Sequence, residues 1–354
     1  IFIIASIFLI TAIFIIDFKF FDNVALLIYG GVMALLILVL LFGEDVNGAR
    51  SWFQIGPLRF QPSELAKFST ALAIAKIFGE RNIKFYRIKD LLTIGAIIAF
   101  PALLIILQKD TGSALVFGSF ILVFYREGLT PLILVLGVIT VALFVLTLIF
   151  PKINIIIGIG ILFLLAAFLL RKNVKNVVIA LLFGVIASGV VYGVDFFVND
   201  VLQPHQQNRI KVLVNPDADP LGAGWNVTQS KIAIGSGGAY GKGFLKGTQT
   251  KFDFVPEQST DFIFCTIGEE HGFLGSSIVV ILFVVFLSRI VFLAERQKTT
   301  FSRVYAYSVA SILFFHFAIN IGMTIGLAPV VGIPLPFFSY GGSSLWSFTI
   351  LLFI

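Results

Sequence analysis

The chain is predicted to be an all-α, polytopic integral membrane protein, and three observations carry that prediction. Of its 354 residues, 58% are hydrophobic and only 12% are charged, well beyond the apolar share of a soluble domain. The apolar residues gather in runs of about 18 or more, the length that crosses a bilayer as a helix. Within those runs polar and apolar residues do not alternate, as they would along the strands of a transmembrane barrel.

Taken in order, the apolar segments are 1–16, 24–42, 62–79, 90–107, 111–125, 130–150, 153–170, 174–198, 262–294, 303–325 and 335–354, eleven in all. The opening IFIIASIF has no polar flank, so we expect a span begun upstream and twelve spans in the whole protein. The basic loops GERNIKFYRIK (79–89), YREG (125–128), RKNVK (171–175) and AERQK (294–298) all fall on one side in this count, which the positive-inside rule assigns to the cytoplasm. The loops 44–61 and 199–260 then face outside. We expect a single transmembrane domain over 1–354, with 199–260 as its large extracytoplasmic loop. That loop is too long for a connector and too varied for a linker, so it is expected to be ordered and functional. Segment 262–294 is longer than a bilayer requires, and we expect 261–272 to be a helical piece near the outer surface. The prolines and glycines of 326–342 predict irregular backbone, which is tolerated at membrane depth only where it is buried in protein or lines a cavity. This last outer loop is therefore expected to dip toward the same site as the long loop.

The net charge of +6 is spread over short loops, which suits anionic membrane lipids and excludes a nucleic-acid partner. One cysteine, Cys265, excludes an internal disulfide and a multi-cysteine metal centre. His205, His271 and His316 lack metal-ligand spacing. In GSGGAYGKG (235–243) a phosphate loop fails, because Ser236 stands where the first glycine is required.

Six stretches carry polar residues that chemistry could use, and all but that of Lys231 have a plainer reading beside them. Arg50, with Trp52, suits a headgroup-level belt. Pro62 opens a helix, and Glu64 and Lys67 then share one face at i, i+3, either as a structural pair or as a pair that also meets substrate. Asp110 precedes Thr111 at a fair helix N-terminus. Arg209, in HQQNRI, matches phosphate oxygens as well as it would anchor a headgroup. Lys231 follows in the long loop. In PEQSTDF (256–262), beside Gln258, Glu257 and Asp261 stand at i, i+4. Asp261 at a cavity mouth would make a general base, whereas Thr260 or Asp261 could simply cap the next helix. The residues alone leave these alternatives open.

The runs RFQPSELAK (59–67), DTGSAL (110–115), QNRI (207–210), DPLGAGWNVTQSKIAIGSGGAYGKGFLKGTQT (219–250), FVPEQSTDFIF (254–264) and NIGMTIGLAPVVGIPLPFFSYGGSSL (320–345) together resemble the SEDS family of bacterial membrane glycosyltransferases (shape, elongation, division and sporulation), in particular its RodA-type elongation branch. The resemblance implies a peptidoglycan glycosyltransferase of the bacterial cytoplasmic membrane with its active site outside. Such proteins polymerise lipid II into glycan strands beside a class B penicillin-binding protein and other elongation-complex membrane proteins. It further implies that Asp261 is the family's essential loop aspartate, expected to act as the general base, and that Glu64, Lys67 and Arg209 are its motif Glu, Lys and loop arginine; together with Arg50, Asp110, Lys231 and Gln258 these are expected to contact substrate. A divalent cation, Mg or Mn, could share in neutralising the leaving pyrophosphate, although no dedicated metal site is legible. The sequence departs from the family in holding three spans over 130–198 where one is usual, and in Ser259, where many relatives carry His. A lipid II flippase and a non-catalytic scaffold for a transpeptidase are the competing readings. The concentration of motif residues on one side, and the lack of an internal repeat, argue against the flippase.

Overall fold

A computed structural model describes residues 2–354, except 47, 57, 82, 203, 216–218, 220, 221 and 253. Pro220 and Leu221 of the 219–250 run, and the His205 side chain, thus lie outside the described residues. The chain divides into two compact units, one formed by Ile1–Leu129 with Asn226–Ile354, the other by Thr130–Trp225.

In the first unit, α1 (Phe2–Ile15) and α2 (Phe18–Phe42) lead into a three-stranded antiparallel sheet. Its strands are β1 (Glu44–Val46), β2 (Ala49–Ile55) and β3 (Leu58–Phe60). The sequence reading placed only a loop here, because two of the strands are three residues long and carry no periodic signal. There follow α3 (Pro62–Glu80), α4 (Ile88–Leu107), α5 (Thr111–Val116) and α6 (Phe120–Arg126), the last two joined by one 3₁₀ turn. In the second unit α7 (Pro131–Ile149), α8 (Lys152–Leu169) and α9 (Val174–Phe196) pack on one another, and α10 (Pro204–Lys211) comes after them. The first unit resumes at Asn226, within α11 (Ala223–Ser236), and continues with α12 (Thr248–Lys251), α13 (Ile263–Glu295), α14 (Thr300–Thr324) and α15 (Gly342–Phe353).

Among the described residues, seven helices are long and apolar enough to cross a membrane, and three shorter apolar helices accompany them. These helices, with α3, occupy all eleven expected segments. The last begins at Gly342 rather than at 335, because Pro336 supplies no N–H and Phe337 takes φ 64°, outside the helical region.

The core of the first unit is built on α3. Fifteen of its 19 residues are buried, against α2, α4, α14 and α15. Ala66, Ser69, Thr70, Ala71, Ala73 and Ala75 are small enough to let those neighbours approach closely, as small residues do between membrane helices. Pro62 opens α3 as expected, where its missing N–H costs nothing. By contrast α7 has no buried residue, which suits a lipid-facing helix.

Candidate active site

The site is assembled around the loop 325–341, between α14 and α15. Its irregular backbone leaves carbonyls that α14 satisfies from one face. His316 and Asn320 stand one turn apart at i, i+4, so they share one side of that helix, and both are buried. Asn320 Nδ2 donates to the Asp261 carbonyl and to the Ile333 carbonyl, each at 2.8 Å. His316 Nδ1 lies 3.0 Å from the Pro334 carbonyl. The Thr324 carbonyl accepts from Ser230 Oγ of α11 at 2.9 Å.

From its other side the loop grips the end of the long 199–260 segment. Ser339 Oγ donates to the Thr260 carbonyl at 2.6 Å and accepts from Leu335 N–H at 2.7 Å. Tyr340 N–H donates to the Ser259 carbonyl at 2.8 Å. Two glycines bring the loop against candidate residues. Gly332 (φ 69°) faces Asp261, whose Oδ2 is 3.0 Å from where a methyl group on that glycine would lie. Gly326 (φ 77°) has no room for one, because Lys231 Nζ and Cε fill the space. Gly112, at the start of α5, is likewise closed by the Val331 carbonyl. The expectation that the last outer loop meets the long loop is met.

Asp261 does not cap α13. The N-cap position is Phe262, without a side-chain hydrogen bond, and Thr260 Oγ1 is turned to Glu257 at 2.8 Å. The Asp261 backbone is instead pinned by Asn320, and its side chain is half-buried beside Gly332. Gln258, also half-buried, precedes it. Helix α13 breaks at Gly272 (φ 64°, ψ −161°), where the expected outer segment 261–272 ends.

The glycine stretch 235–243 packs backbone to backbone on that segment. Lys242 N–H and Gly243 N–H donate to the carbonyls of Glu269 and Glu270, and Phe273 and Leu274 N–H donate back to Gly238 and Ala239. A side chain at Gly237 or Gly241 would collide with the Gly268 or Glu270 carbonyl. These glycines serve close approach, not phosphate. Glu269, which the sequence reading did not single out for this role, is fully buried. Its Oε1 accepts from Lys242 Nζ, Thr248 N–H, Thr248 Oγ1 and Gln249 N–H, and its Oε2 from Thr250 N–H and Oγ1, all at 2.7–3.2 Å. One carboxylate thus holds the start of α12. The signal was the GTQT run itself, an N-terminus with bare backbone donors and nothing nearby in sequence to accept from them.

Glu64 and Lys67 pair at 2.8 Å, with Lys67 only 1% and Glu64 3% exposed. Lys67 Nζ is also 3.0 Å from His316 Nε2 and 4.9 Å from the centre of the Phe348 ring. The structural pairing expected of these two residues is present. The pair's charges are turned into the core, and its route to the loop is His316. Asp110 performs the capping alternative, accepting from Ser113 N–H at 3.1 Å, and it also accepts from Gln61 Nε2 at 2.8 Å, tying α5 to the entrance of α3. Arg50 is exposed on β2, where its N–H donates to the Gln108 carbonyl. Lys231 is exposed on α11, and Arg209 is exposed on α10 within the second unit. Among the described residues no group of three or more His, Cys, Asp and Glu side chains is placed to hold a metal ion.

A model of the cell cycle protein family of FtsW, RodA and SpoVE matches the chain over residues 1–156 and 126–354. Peptidoglycan glycosyltransferase RodA of Treponema pallidum is 36% identical, covering 94% of this chain and 82% of its own length. Peptidoglycan glycosyltransferase MrdB of Escherichia coli K12 is 37% identical over 88% of this chain and 71% of its own. A solved chain, from work on the structural coordination of polymerization and crosslinking by a peptidoglycan synthase complex, superposes with a TM-score of 0.70 at 27% identity, covering 98% of this chain and 84% of that one. The crystal structure of Thermus thermophilus rod shape determining protein RodA superposes at 0.62 and 24% identity, over 98% and 81%, a likeness of fold.

Proposed function

The chain belongs to the cell cycle protein family of FtsW, RodA and SpoVE, and we infer from that membership that it is a multi-pass membrane peptidoglycan glycosyltransferase serving cell elongation. Its substrate in this reading is lipid II, which it joins into glycan strands on the extracytoplasmic side. Asp261 is the general base. A sugar hydroxyl of the acceptor attacks the anomeric carbon of the donor, and Asp261 takes the hydroxyl proton. The bond from that carbon to the pyrophosphate oxygen breaks as the new glycosidic bond forms, and the departing lipid pyrophosphate keeps the electron pair. Lys231, exposed at the edge of the loop, offsets the growing negative charge, the kind of electrostatic help that often dominates catalysis. Arg209 is a second candidate for that role, and Gln258 and Arg50 for holding the substrate. The partner is a class B penicillin-binding protein that crosslinks the product.

The observation that carries the base assignment is the placement of Asp261. It is the acid set against the loop hub, pinned through its backbone and relieved of capping duty. The test is glycan synthesis from lipid II by the purified chain, with a β-lactam present to silence any transpeptidase. Polymer from the parent and none from Asp261→Asn, with lipid II binding intact, is the expected result. Normal polymer from the variant would remove Asp261 from the chemistry. Lipid II movement across vesicles that makes no polymer would favour the transporter reading.

A further inference from the structure

His316 is buried at 1% exposure and stands between two groups of opposite character. The Pro334 carbonyl facing Nδ1 can only accept, so Nδ1 carries the proton. The Lys67 ammonium facing Nε2 can only donate, so Nε2 offers its lone pair. The two partners together select one neutral tautomer. Lys67 is held in turn by Glu64, so a chain of bonds runs from the ion pair of α3, through the imidazole of α14, to the loop. Pro334 is two residues from Gly332, which faces Asp261, and the intervening Ile333 carbonyl is held by Asn320. Pro334 and Pro336 have no N–H to donate, so this stretch of loop is anchored by its carbonyls from outside.

We propose that His316 is a positioning residue for the glycosyl transfer, coupling the buried Glu64/Lys67 pair to the Pro334 carbonyl and thereby holding the loop that places Asp261. The proposal rests on Asp261 being the base. A packing histidine would need neither partner, and a histidine serving the ion pair alone would need only its Nε2. Burying an ion pair is expensive on balance. Linking it to the loop gives that expense a function, because a carboxylate displaced by about 1 Å can lose on the order of a hundredfold in rate.

The two bonds can be separated in the full chain, reconstituted in lipid nanodiscs. His316→Asn keeps an amide N–H near the Nδ1 position and withdraws the acceptor from Lys67. His316→Gln keeps an acceptor near the Nε2 position and withdraws the donor from Pro334. Amide hydrogen exchange over 326–341 reads the loop without reference to turnover. The expected result is that the Asn variant, which cuts the loop off from the ion pair, loses part of the loop protection and falls severalfold in kcat. The Gln variant should lose protection and fall about tenfold or more in kcat, with KM for lipid II unchanged. Parent-like protection and parent kcat in either variant would overturn the coupling. So would the reverse pattern, with Gln behaving like the parent and Asn failing, since His316 would then serve the ion pair alone. Asp261→Asn is assayed beside them. If it is inactive while the Gln variant opens the loop at full kcat, the loop does not place the acid and the proposal falls. If Asp261→Asn is fully active, it is the base assignment that falls, and the exchange data still decide whether His316 holds the loop.

Discussion

The acids around the site differ in burial and in the bonds they accept. Glu269 accepts six hydrogen bonds with no exposed surface, so it is a fastener. Glu257 is exposed, at φ 56°, and accepts from Thr260. Asp261 is the one set against the loop hub. Asp261→Asn should therefore lower glycan synthesis by about 10²- to 10⁴-fold, the usual share of a general base, while expression and lipid II binding stay at the parent level. Glu269→Gln should behave differently, because it removes a charge that Lys242 and three backbone N–H groups require. Lys242 is partly exposed, so the loss should fall toward the lower end of the about 3–5 kcal/mol that breaking a buried pair costs. A lowered melting temperature in detergent, with turnover per folded molecule unchanged, is the expected outcome. Unchanged stability with lost turnover would make Glu269 a participant in the chemistry.

At the scale of elements, α3 and α14 carry the site because each combines close packing with a few polar groups aimed at the loop. For Glu64 and Lys67 the single variants Glu64→Gln and Lys67→Met should each lose more stability than the double variant, since each leaves one buried charge alone. A double-mutant cycle in thermal unfolding checks this, and additive losses would argue against coupling. The loop makes its own prediction. Gly332→Ala forces a side chain into φ 69° and against Asp261 Oδ2, so kcat should drop at least tenfold with the fold retained. Gly95→Ala is the control, since it lies in α4 with nothing within 4 Å, and should be neutral or stabilising by up to about 1 kcal/mol. Equal activity of the two variants would show that the approach of Gly332 to Asp261 has no catalytic weight.

For the molecule as a whole, the first unit shows that basic loops of different hairpins meet at one end. Arg126 pairs with Glu295, and Arg303 with Glu127, joining the end of α6 to the end of α13 and the start of α14. Lys76 joins Asp22 of α2 near the C-terminal end of α3. These contacts agree with the parity of the span count within that unit. The orientation in the membrane then follows from which end is cytoplasmic. Cysteine placed at residue 219 or 246 should be labelled from outside intact cells, and at residue 84 or 173 only after permeabilisation. The opposite pattern would move the chemistry to the cytoplasmic side.

The sequence by itself determined the class of molecule, the eleven apolar segments, the helix start at Pro62, the pairing of Glu64 with Lys67, and the motif runs that mark the family. All of these depend on composition, on i, i+3 spacing or on short contiguous strings, which the chain carries locally. The tertiary structure decided which acid is used for what. Asp110 caps α5 through Ser113, as its position suggested, but it is also bonded by Gln61 from 49 residues away, Glu269 gathers donors 19 to 27 residues away, and Asn320 holds the Asp261 carbonyl from 59 residues away. It also decided that Lys67 faces His316 across 249 residues rather than solvent. His316 and Asn320 are polar residues one turn apart in an apolar helix, and only the fold shows that the side they share is turned to the loop carrying Gly332. A side chain's spacing states which neighbours on its own helix share its face. The partner on that face is chosen by packing, and packing is a property of segments far apart in the chain.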